Sequence, residues 1–232
     1  MQTKMLASVN CVEEALIVLE CGVDIIDLKN PSQGALGALP LELIKDIVKA
    51  IDGQGIISAT IGDLPMEVDV VKKGTEDMIS TGVDIVKIGF FGTENHVECI
   101  RSLKPYADQG VKLVAVLFAE NGSVVHLVPE FAAAGFYGVM VDTAIKDGKT
   151  LTDHYDHEDI KEFVDAAKKY NLLVGLAGSI KLHHVKLLKP YAPSYLGFRG
   201  ALCDNHQRTS TLNADKVKEI VKEMTVDYQF EA

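Results

Sequence analysis

Short runs of β-branched and apolar residues alternate along this chain with segments whose apolar positions recur at helical spacing. The two-residue period picks out eight strands, at 4–9, 24–29, 55–61, 84–89, 112–119, 138–143, 172–177 and 195–201. Amphipathic segments fill the gaps, beginning near Cys11, Leu41, Met66, Asn95, Leu127, His157, Lys181 and Asn213, with Asn10 and Asn213 as expected N-caps. Strands parted by helices build right-handed βαβ units. Eight of them in 232 residues predict one closed (β/α)8 barrel over residues 1–224, with a short mobile tail at 225–232. An open doubly wound sheet is the competing architecture, but Val9-Asn10-Cys11-Val12 stands where a Gly-x-Gly-x-x-Gly would follow the first strand, so a dinucleotide is not expected. Two internal echoes support a repeated unit: Gly22-Val23-Asp24-Ile25-Ile26 with Gly82-Val83-Asp84-Ile85-Val86, and Leu103-Lys104-Pro105-Tyr106-Ala107 with Leu188-Lys189-Pro190-Tyr191-Ala192.

The same period sorts the charges. In the second strand Asp27 and Lys29 share a face opposite Ile26 and Leu28, and Asn30, Pro31 and Gly34 end the strand directly after them. In the fourth strand Lys87 shares a face with Ile85 and Gly89; in the sixth, Asp142 shares one with Met140. All four charges therefore enter the barrel near the carboxyl ends of even-numbered strands, where this architecture binds ligands. A satisfied salt-bridge cluster is the structural alternative, since a buried charge is costly unless paired. The i, i+2 spacing of Asp27 and Lys29 predicts them as a pair in one wall of the mouth. Burial and a second nearby ammonium both lower a lysine's pKa, the condition for an imine with a carbonyl substrate, while carboxylates or the other lysine move protons. Lys146, four residues past Asp142, could join them or be a solvated loop lysine. The residues alone leave open which lysine is the nucleophile.

Composition removes several function classes. With 47% hydrophobic and 24% charged residues the chain can bury a sizeable core. A formal net charge of -10 gives no basic footprint for nucleic acid or an anionic membrane. The apolar run 113–119 is far shorter than a bilayer span, and the amino terminus lacks the apolar segment of an export signal. Cys11, Cys21, Cys99 and Cys203 are scattered without a Cys-x-x-Cys pair, which suits reduced thiols in a cytoplasmic protein. No ligand set for zinc or magnesium is evident, so neither metal nor cofactor is expected. The oligomeric state stays open, with a homo-oligomer allowed.

Small residues close the last two strands, in Leu176-Ala177-Gly178-Ser179-Ile180 and Gly197-Phe198-Arg199-Gly200-Ala201-Leu202. Loops after strands seven and eight of a barrel often hold phosphate on free backbone amides, which makes Gly178, Ser179, Arg199 and Gly200 the candidate phosphate residues. His154 and His157 have metal-like spacing but are expected as surface residues of a loop. The His183-His184 pair, beside Lys181 and Lys186, is expected on a solvated face, and Cys203 as a core thiol without a base.

At these residues the chain resembles a known family. Asp-Ile-Ile-Asp-Leu-Lys-Asn-Pro, Val-Lys-Ile-Gly, Leu-Ala-Gly-Ser-Ile and, most specific, Asp142-Thr143-Ala144-Ile145-Lys146-Asp147-Gly148-Lys149 resemble the (5-formylfuran-3-yl)methyl phosphate synthases. The likeness spans nearly the whole chain. It implies a barrel lyase that joins two molecules of glyceraldehyde 3-phosphate, losing phosphate and water, to form the furan precursor of methanofuran. It also implies Lys29 as the imine-forming lysine and Lys87 as proton acceptor, with Asp27, Asp142 and Lys146 completing the site. The rivals are another class I aldolase-type or decarboxylase barrel acting on a phosphorylated sugar, and a non-catalytic phosphosugar-binding barrel.

Overall fold

The computed structural model describes residues 2–230. Eight parallel strands, β1 (Lys4–Val9), β2 (Ile25–Leu28), β3 (Ile56–Thr60), β4 (Ile85–Gly89), β5 (Lys112–Phe118), β6 (Gly138–Asp142), β7 (Leu173–Leu176) and β8 (Tyr195–Phe198), close in sequence order, with β8 pairing back onto β1. Around them run α1 (Val12–Glu20), α2 (Leu41–Ile51), α3 (Val68–Ile79), α4 (His96–Asp108), α5 (Val128–Ala133), α6 (Leu151–His154), α7 (His157–Lys169), α8 (Leu182–Leu188) and α9 (Ala214–Met224). The closed barrel expected from the alternation is the one observed. No helix among the described residues is long and apolar enough to cross a membrane.

Strand alternation divides the apolar residues into two cores. Ile26, Leu28, Val86, Ile88, Val139 and Val141 pack outward under the helices, while Leu6, Ile25, Ile85, Val114, Met140 and Tyr195 fill the barrel interior. The interior is therefore a greasy plug, and the charged residues lie farther along the same inward-facing rows, toward the carboxyl ends.

The first internal echo has a physical role. Asp24 Oδ2 accepts the backbone N–H of Met5, and Asp84 Oδ2 accepts that of Ile57, each at 2.8 Å. In both copies the aspartate entering a strand ties it to its predecessor, which helps fix register in a parallel pair.

Several local expectations are corrected. Asn213 does cap α9, its Oδ1 accepting from the amides of Asp215 (3.0 Å) and Lys216 (3.3 Å), but α1 begins behind Cys11, and Asn10 instead donates its N–H to Glu14. His154 and His157 lie on α6 and α7 rather than in a loop, because capping boxes at Thr150 and Asp156 start two helices in that stretch. His184 is buried instead of solvated: its Nδ1 accepts the N–H of Lys181 at 2.8 Å, and burial lowers its pKa to about 4. The tail, as far as it is described, is tied down. Lys189 Nζ donates to the carbonyls of Met224 (2.7 Å) and Val226, and the Phe230 ring packs edge-on against Tyr191.

Candidate active site

A cavity of about 390 Å³ opens at the carboxyl ends of the strands, lined by Asp27, Lys29, Lys87, Asp142 and Lys146 and, after β7 and β8, by Gly178, Ser179, Arg199 and Gly200. All nine sequence-derived candidates thus border one space. Their pairing is the unexpected part.

Asp27 is fully buried and takes hydrogen bonds from three sides: Ser8 Oγ at 2.9 Å, Ser58 Oγ at 2.7 Å and Lys87 Nζ at 2.9 Å. Register explains the hydroxyls, because Ser8 and Ser58 sit directly beside Asp27 on β1 and β3. Burial alone would push the Asp27 carboxyl up, but Lys87, Lys29 and the Ser58 hydroxyl outweigh it and hold the group below the usual carboxylate range. The expected Asp27–Lys29 pair is not formed. Neighbouring inward positions on one strand run parallel, whereas Lys87 reaches Asp27 across from β4.

Lys29 belongs instead to a second group. Its Nζ lies 3.9 Å from Asp142 Oδ2, an ion-pair distance without a hydrogen bond. Oδ1 of Asp142 accepts from Lys146 Nζ at 2.8 Å and from the Thr143 amide at 2.7 Å, and Lys146 also donates to Thr143 Oγ1 at 3.0 Å. Lys146 is thus drawn into the site rather than solvated. Its loop is held from the turn after β5, where the Glu120 carboxylate accepts the amides of Ala144 (3.0 Å) and Ile145 (2.9 Å). Burial opposes ionisation of Asp142, but Lys146, Lys29 and the Thr143 amide hold its carboxyl far below the carboxylate range.

Lys29 is the lysine whose surroundings most favour the neutral amine. Burial lowers its pKa from 10.5 to about 8; Asp142 and Asp27 resist the fall, while Lys146 and Lys87 add to it. At neutral pH such a shift raises the unprotonated fraction on the order of 100-fold. Lys29 is also the less tightly held of the two deep lysines, since Lys87 makes a close hydrogen bond. A loosely held, partly neutral amine beside a carbonyl-sized cavity can add to an aldehyde or ketone.

After β7, Gly178 has φ +117 and a Cβ there would stand 2.9 Å from Thr143 Cγ2, so the turn requires glycine both for its backbone and for its approach to the β6 loop. Ser179 follows at φ 50, a second left-handed residue. Arg199 contributes differently from expectation. Its guanidinium is consumed by the buried Glu14 carboxylate (2.6 and 3.3 Å) and by the carbonyls of Ser8, Arg208 and Ser210. What remains for an anion at Arg199-Gly200 is backbone.

Ser8, Ser58, Thr143, Glu120 and Arg208 were not read from the sequence. The two serines carried a usable signal, since they occupy inward positions of their strands; the others depend on loop geometry. Among the described residues, no three His, Cys, Asp or Glu side chains are grouped to hold a metal.

Residues 5–221 match the model of the 4-HFC-P synthase family. A (5-formylfuran-3-yl)methyl phosphate synthase from Methanococcus maripaludis strain C5 is 39% identical over 230 residues, covering 94% of this chain and 98% of that protein. The chain belongs to the (5-formylfuran-3-yl)methyl phosphate synthase family. A second relative of that name, from Methanocaldococcus jannaschii, is 38% identical over 92% of this chain and 94% of its own length. The family's barrel is shared more widely: phosphoribosyl anthranilate isomerase from Thermus thermophilus (TM-score 0.70, 14% identity, 96% of this chain and 98% of that one) and 3-hexulose-6-phosphate synthase from Salmonella typhimurium (TM-score 0.70, 17%, 96% and 98%) have the same fold. At such identities the likeness is one of fold alone.

Proposed function

We propose that this chain is a lyase of methanofuran biosynthesis that condenses two molecules of glyceraldehyde 3-phosphate into (5-formylfuran-3-yl)methyl phosphate through an imine on Lys29. The observation that carries the reading is the division of labour among the charges: Lys87 is bound to Asp27, whereas Lys29, with its pKa near 8, lacks a close hydrogen-bonded carboxylate. Family membership supplies the product's name.

The chemistry follows from what an imine does. Neutral Lys29 Nζ adds to the aldehyde carbon and water leaves, with Asp142 and Lys146 close enough to exchange the protons of addition and dehydration. The resulting iminium acidifies the adjacent C–H, whose proton passes to the Asp27–Lys87 pair acting as one acid–base unit. The enamine so formed carries phosphate on the next carbon and can expel it, or can attack the carbonyl of a second molecule. Over the whole reaction two three-carbon phosphates become one six-carbon monophosphate, releasing one inorganic phosphate and two waters. Hydrolysis of the final imine returns Lys29.

Incubation with glyceraldehyde 3-phosphate, following phosphate release and furan absorbance together, tests the reading. Phosphate and furan in equal amounts are expected. Phosphate without furan would reduce the activity to simple elimination, and neither would leave a phosphosugar-binding barrel or another substrate.

A further inference from the structure

One guanidinium at the cavity is hydrogen-bonded to no member of the lysine–aspartate centre. Arg208 lies in the loop between β8 and α9 and borders the site cavity. Among the described residues its side chain makes a single hydrogen bond, from Nη2 to the Gly34 carbonyl at 2.8 Å. Among the described residues no carboxylate lies within ion-pair distance; Asp142 and Asp63 act on it only through space.

Both of its attachments are rigid. The Arg208 carbonyl accepts from Arg199 Nε at 2.8 Å, and Arg199 is locked to Glu14. Gly34 belongs to the loop after β2, where Asp63 accepts the amides of Ala35 (3.1 Å) and Leu36 (2.8 Å) so closely that a Cβ on Gly34 would stand 1.9 Å from Asp63 Oδ2. The β8 loop is thereby strapped to the β2 loop, holding a half-buried cationic fork at the mouth with most of its five donors unspent. A desolvated arginine without an anion is costly, and its planar geometry matches phosphate oxygens.

We propose that Arg208, with the backbone amide of Gly200, forms a phosphate subsite over the β8–β1–β2 sector, distinct from the amide-lined turn at Gly178-Ser179 after β7. The ligand class is a phosphate monoester. This deepens, and for its biological meaning rests on, the proposed reaction: two substrates bring two phosphates, one retained and one expelled, and each needs a cationic or amide-lined seat.

Inorganic phosphate is the probe, titrated calorimetrically into wild type and Arg208→Gln. Two binding events are expected in wild type, with one weakened about 10- to 100-fold in the variant, the loss of a charge-assisted hydrogen-bonded pair. A folded variant that binds phosphate as wild type does overturns the proposal. A second measurement needs no variant: wild type is treated with phenylglyoxal with and without saturating phosphate, and modified arginines are mapped by mass. The chain has three arginines. Exposed Arg101 is the unprotected control, buried Arg199 should stay unreactive, and Arg208 should be protected by phosphate. Equal modification of Arg208 in both conditions overturns the proposal even if Arg208→Gln does not fold. Phosphate protection without turnover of glyceraldehyde 3-phosphate would keep the subsite and defeat the proposed reaction, so the two failures are separable.

Discussion

Lys87 Nζ lies 2.9 Å from Asp27 Oδ1, with both side chains buried and their positions 60 apart in the sequence. This bond divides the mouth of the barrel in two. On one side is Lys87, hydrogen-bonded to a carboxylate that also accepts from two flanking serines; on the other is Lys29, sharing Asp142 with Lys146 at a longer distance.

Asp27→Asn should separate the two halves. It leaves Lys87 buried and unpaired, for which a loss of about 3–5 kcal/mol is expected. Turnover should fall nearly to background. Imine formation at Lys29 should survive, because Asp142 and Lys146 are untouched. Thermal unfolding and borohydride trapping on the same variant check this, and loss of trapping in a folded protein would show that Asp27 serves Lys29 after all.

The pH dependence of imine formation should rise through about 8, the value to which burial brings Lys29. Its neighbours push that limb in opposite directions. Asp142→Asn removes a charge that favours the ammonium, so the limb should move to lower pH; Lys146→Met removes a repelling cation, so it should move higher. Trapping rates across pH 6 to 10 give both signs, and a limb unmoved in both variants would refute the assignment.

Lys29 should also cost the fold stability. Its folded pKa is depressed from 10.5 to about 8, so the unfolded chain binds more protons between those values, and the penalty is full below about 8 and relieved as pH rises toward 10.5. Lys29→Met should therefore be inactive and more stable than wild type at pH 7, since Asp142 keeps Lys146, with the advantage shrinking above pH 8. Asp27 and Asp142 have the opposite sign. Their depressed carboxyls stabilise the fold fully above the unfolded value of 3.8, and that contribution is lost as pH falls through the folded values. Tm against pH for wild type and Lys29→Met checks these directions.

Arg199 should behave as a strut. Arg199→Met strands the buried Glu14 carboxylate and should destabilise by about 3–5 kcal/mol, while the double variant Glu14→Leu/Arg199→Met should recover much of it. Denaturant unfolding of the three proteins decides; a double variant no better than the single would remove the pair as the cause.

The parts legible in the sequence were those governed by local period. Alternation in β2, β4 and β6 gave the inward phase of Asp27, Lys29, Lys87 and Asp142, because side-chain direction along a strand is set by residue parity. Parity says nothing of reach across a barrel, so it points to the strand neighbour Lys29 where the partner of Asp27 is Lys87. Arg199 failed for a related reason: Glu14 sits in the first turn of α1, where an acidic residue normally answers the helix dipole, and nothing local marks it as the ligand of an arginine 185 residues away. Arg208 depends on two loops meeting, and loop paths have no period to read.

Lys29, not Lys87, should carry the substrate. Wild-type protein is mixed with glyceraldehyde 3-phosphate, reduced with borohydride and digested, and the site of the added mass is mapped. A stable adduct is expected on Lys29 and absent from Lys29→Arg. An adduct on Lys87, or turnover to furan with no adduct on any lysine, would contradict it.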